Sequence, residues 1–80
     1  MPYISKAQRK IVEDIGPSTA GELNFAVTQS LLAYMKRRGV SYTTMNEIIG
    51  ALECAKIEFY RRVMVDFEQK KCILNGDVYK

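Results

Sequence analysis

The segment Glu53-Cys54-Ala55-Lys56-Ile57-Glu58-Phe59-Tyr60-Arg61-Arg62 holds the densest mixture of charge and aromatic rings in the chain. Arginine forks clamp phosphate or carboxylate at two points, and a tyrosine ring can stack on a base. The chemistry this suggests is capture of an anion by Arg61, Arg62, Tyr60 and Lys56, with Tyr3 or Tyr79 bordering the site. A simpler account also fits. Glu58 precedes Arg62 by four and Glu53 precedes Lys56 by three, the spacings of ion pairs along one helix. In a symmetric oligomer, copies of Arg61 and Arg62 from two chains would build a strongly basic pocket. Lys36, Arg37 and Arg38 form a second basic cluster, suited to the negative end of a helix.

Catalytic chemistry has little to work with. Histidine, the commonest general base and metal ligand, is absent. Cys54 and Cys72 stand apart and have neither a base nor zinc-type spacing beside them. The five glycines are scattered, so no phosphate loop forms. Glu47, Glu53 and Glu58 are offset by six and five positions, which scatters them around a helix axis. The expectation is no catalytic residue, no metal site, no cofactor and no enzymatic activity.

Eighty residues make a single domain, 1–80. A chain of that size buries only roughly 60% of its unfolded surface, so its core is marginal unless something helps. Two isolated cysteines fit reduced thiols better than a disulfide staple. Residues 1–15 lack the apolar run of a signal peptide, and no window approaches the ~20 apolar residues of a membrane span. The expectation is a cytoplasmic protein with no membrane partner. A net charge of +3, with the signs mixed, permits an anionic partner without demanding one.

The residues that position these groups read as all-α. Ser5 and Gln8 have capping-box spacing and open a short helix over 6–15, stopped by Gly16-Pro17. Thr19 and Glu22 open a second helix over 20–38, ended by Gly39. Thr44 and Glu47 open a third over 44–71, and a flexible tail follows at 75–80. The short connector predicts an antiparallel helical hairpin. The third helix, about 40 Å long, overhangs the second by about 12 Å. Val63, Met64 and Phe67 lie on the overhang and would leave a large apolar patch in water. Gly50, Ala51, Cys54 and Ala55 make a strip of small residues open to close helix approach. Val63, Met64, Phe67, Gly50 and Cys54 are therefore the expected interface of a homo-oligomer, a symmetric dimer or larger.

The motifs Met1-Pro2-Tyr3-Ile4-Ser5, Gly21-Glu22-Leu23-Asn24, Asn46-Glu47-Ile48-Ile49-Gly50, Glu53-Cys54-Ala55-Lys56, Glu58-Phe59-Tyr60-Arg61-Arg62 and Asn75-Gly76-Asp77-Val78-Tyr79 span nearly the whole chain. Together they resemble a family of small uncharacterised proteins of bacteriophages, prophages and some bacteria. The resemblance implies the cytoplasm of a bacterial host cell and carries no reaction and no catalytic residues. By analogy with small phage proteins, it points to a binding protein that captures a host factor or an anionic nucleotide signal. The alternatives are a small nucleic-acid-binding regulator working through the Lys36–Arg38 end, and a structural accessory subunit held by its apolar overhang to a larger complex.

Overall fold

The structure is a computed structural model and describes residues 1–80. It is all-helical and has no strand. Helix α1 spans Lys6–Asp14 and α2 spans Ala20–Arg38. Helix α3, Tyr42–Phe59, runs through a π-turn, Tyr60–Met64, into α4, Val65–Asn75. These last three elements form one continuous helix of 34 residues. The chain divides into two compact units, Met1–Met45 and Asn46–Lys80.

In the first unit α1 packs on α2. The capping box at Ser5 forms as its spacing predicts: Ser5 Oγ accepts from Gln8 N at 3.2 Å, and Ser5 N donates to Gln8 Oε1 at 3.1 Å. Val12 and Phe25 are the buried apolar core. Arg9 covers the Phe25 ring with its guanidinium 5.7 Å from the centroid, and its Nε donates to Ile4 O at 3.1 Å. Ile4 crosses α2 at Gly21, where an added Cβ would lie 3.3 Å from Ile4 Cγ2. Helix α1 ends one residue short of its expected bound. Ile15 becomes the C-cap before Gly16 at φ 113°, and its side chain is 85% exposed.

The second capping box forms by half. Thr19 Oγ1 accepts from Glu22 N at 3.1 Å, but the Glu22 carboxylate goes elsewhere. The third is displaced. Gly39, at φ 96°, ends α2, and Ser41 is the next side chain able to cap. Its Oγ accepts from Thr44 N and donates to Thr44 Oγ1, both at 3.1 Å. The helix therefore starts at Tyr42, two residues early, and Thr44 is buried inside its first turn.

In the second unit the helix runs to Asn75, four residues past its expected end. Nothing between Lys71 and Asn75 opposes helix, and the first residue suited to a left-handed end is Gly76, at φ 91°. Gly76 N donates to Cys72 O at 2.8 Å. Beyond it Asp77 Oδ1 accepts from Tyr79 N at 2.8 Å, a local turn bond. The small-residue strip lies open: a Cβ on Gly50 would meet nothing within 4 Å, and Cys54 is exposed, not packed. Val63, Met64 and Phe67 are 50%, 45% and 60% exposed in the single chain.

Candidate binding surface on the long helix

Lys56, Tyr60, Arg61 and Arg62 all project from the same helix around the π-turn. The turn is defined by its backbone: Val65 N donates to Tyr60 O, five residues back instead of four. Single π-turns inside α-helices are rare and recur at functional sites. Three of the six candidate ligand-binding side chains, Tyr60, Arg61 and Arg62, fall within it.

Their surroundings are open. Lys56 Nζ lies 3.3 Å from Glu53 Oε1, and Arg62 Nε lies 3.9 Å from Glu58 Oε1. Further on, Lys70 Nζ lies 3.2 Å from Asp66 Oδ2, and Lys71 sits over the Phe67 ring at 5.7 Å. Both expected intrahelical pairs therefore form. Pairs this exposed contribute roughly 0–1 kcal/mol each, so an incoming anion can displace them. Arg61 is exposed and holds no carboxylate, and the Tyr60 ring beside it is 51% exposed.

Of the tyrosines at the chain ends, Tyr3 lies in the first unit and is 79% exposed. Tyr79 borders an open groove between α4 and the tail, with Lys71, Cys72 and Asp77 also on its walls. None of Lys56, Tyr60, Arg61 and Arg62 lines that groove. No group of three or more His, Cys, Asp or Glu side chains stands close enough to hold a metal ion. No helix is long and apolar enough to cross a membrane.

Two features escaped the sequence. Tyr60–Met64 contains no glycine or proline to mark a change of pitch. Glu22 has capping-box spacing, yet its carboxylate is buried and serves as an anchor. Its Oε1 accepts from Ser18 N and Ser18 Oγ at 3.0 Å each, and its Oε2 accepts from Gln8 Nε2 at 3.2 Å. The backbone N–H of Ser18 holds its pKa below the ordinary value of 4.5, against the opposing effect of burial, with Ser18 Oγ and Gln8 adding to the depression. The available signal was Ser18 itself, a second hydroxyl beside the Thr19 cap.

The chain belongs to the family described as Domain of unknown function (DUF6899), which matches residues 1–78. No curated protein and no solved structure matches it.

Proposed function

We propose that this chain is a non-enzymatic binding protein, a helical homo-oligomer that captures an anionic nucleotide at the π-turn. The observation that carries this is Arg61: an exposed guanidinium without a carboxylate, next to an exposed Tyr60 ring, on a helical turn of a type that recurs at functional sites. A guanidinium offers paired donors to phosphate, and the ring offers a face to a base. Lys56, one turn before Tyr60, adds a cation whose present partner is weakly held. The lack of histidine and the scattered carboxylates favour binding over catalysis. The motifs resembling phage and prophage proteins support a role in the cytoplasm of a bacterial host cell, against a host signal.

The test is thermal. A panel of mono-, di- and cyclic nucleotides should contain a member that raises the melting temperature, and Arg61→Ala should abolish the gain. A panel without any shift removes the nucleotide reading. The exposed apolar residues of the second unit favour a second reading, capture of a host protein or service as an accessory subunit. Co-purification of a stoichiometric partner, with no nucleotide response, selects it.

A further inference from the structure

The second unit leaves Phe59, Val63, Phe67 and Leu74 exposed, at 64%, 50%, 60% and 74%. On an ordinary α-helix, positions four apart drift by about 40° per step. The π-turn lies between Phe59 and Phe67, and the extra residue it holds offsets that drift. Phe59, Val63 and Phe67 therefore stay on one face. Leu52 and Leu74 share it, since each lies seven residues, about two turns, beyond a phenylalanine. The spacing of this stripe reads the same from either end, with Val63 at its centre.

The charges beside it carry a second symmetry. Glu58, Arg62 and Asp66 each stand one residue before a member of the stripe, and with Lys70 they line one edge at intervals of four. Their signs alternate. Read backwards, every sign is reversed.

We propose that a second copy of this chain packs on the stripe, antiparallel, about a two-fold axis at Val63. The proposal rests on the self-association in the function proposed above. The axis sets Val63 against the partner's Val63, Phe59 against the partner's Phe67, and Leu52 against the partner's Leu74. Along the edge Glu58 faces the partner's Lys70, and Arg62 faces the partner's Asp66. The charges mirror about Met64, one residue or about 1.5 Å from the apolar centre, well within side-chain reach. A parallel copy would put this edge on opposite sides of the seam, so these opposite-sign pairs would not be made. The helix macrodipoles also favour antiparallel packing. Self-complementarity on reversal identifies the occupant, because an isologous interface must satisfy itself. Arg61, two residues from Val63, points away from the stripe and stays open to ligand.

The experiment measures mass in solution by light scattering or sedimentation, with helicity followed by circular dichroism. The wild-type chain is expected to be a dimer or a higher even-numbered assembly. Val63→Arg sets two guanidiniums together on the axis and dissociates it. Glu58→Lys and Lys70→Glu each weaken association by roughly tenfold or more. The double variant, Glu58→Lys with Lys70→Glu, restores it. That rescue cannot arise within one helix, because both intrahelical pairs of the edge are then of like sign. A wild-type monomer overturns the pairing and the self-association together. An oligomer whose mass ignores Val63→Arg and the charge variants overturns the pairing alone.

Discussion

Gln8 Nε2 donates to Glu22 Oε2 across 3.2 Å, and this bond ties the first turn of α1 to the first turn of α2. The same Gln8 side chain closes the capping box with Ser5, so one residue serves both the start of α1 and its docking. Ser5→Ala should cost about 1 kcal/mol, the usual loss of a cap. Gln8→Ala should cost more, because the contact with Glu22 goes too. Thermal unfolding of the two variants side by side checks the order.

Glu22 also sets a dependence on pH. Its folded pKa lies below 4.5, chiefly through the Ser18 N–H. The unfolded chain therefore takes up this proton more readily than the folded one. The stabilisation is fully present above pH 4.5 and is lost as pH falls from there through the lower folded value. Melting temperature against pH should decline in that window, and Glu22→Gln should flatten this part of the decline.

Gly50 lies mid-helix with nothing near the place of its missing Cβ. Gly50→Ala should stabilise the helix by about 1 kcal/mol. It lies off the Phe59–Val63–Phe67 stripe, so the assembled mass should not change. Dissociation on this substitution would place the interface on the small-residue strip instead.

The π-turn predicts an asymmetry between deletions. Removing Arg61 closes the turn to ordinary pitch, with Phe59 and Phe67 seven residues apart and still on one face. Removing Ala55 rotates Leu52 by about 100° away from the stripe. The first deletion should keep the assembly and lose the nucleotide response. The second should weaken the assembly, as sedimentation would show.

Cys54 is exposed and lies five residues from Phe59, on a different side of the helix. A maleimide should label it in the assembled protein without changing the mass of the assembly beyond the added label. Protection of Cys54 on assembly would contradict the stripe.

The helix stops were legible where a residue with special backbone freedom sat at the end. Gly39 marked the end of α2, and Gly76 was in plain view past α4. The long helix runs past its expected end at 71 because no residue before Gly76 ends it. Ser41 was missed as a cap because Thr44 and Glu47 offered a fuller pattern two residues into the actual helix. The Glu22 carboxylate is held by Ser18, four positions away, and by Gln8, fourteen positions away, and the second of these has no local signature. The π-turn had no local signature at all. Its trace is the run Phe59, Val63, Phe67, which stays on one face only if the pitch widens there. The exposed arginines were legible as residue types, and their ion pairs as spacings.

The alternating edge Glu58, Arg62, Asp66, Lys70 assigns different jobs to charge and to grease. Dissolved salt screens exposed charges over about 10 Å at 0.1 M and far more tightly at 1 M. Kosmotropic salts meanwhile strengthen the burial of apolar surface. In ammonium sulfate the rods should adhere more firmly while their preference for opposite over like direction fades. Fidelity of orientation and strength of adhesion thus answer to separate physical controls in the same short stretch of helix.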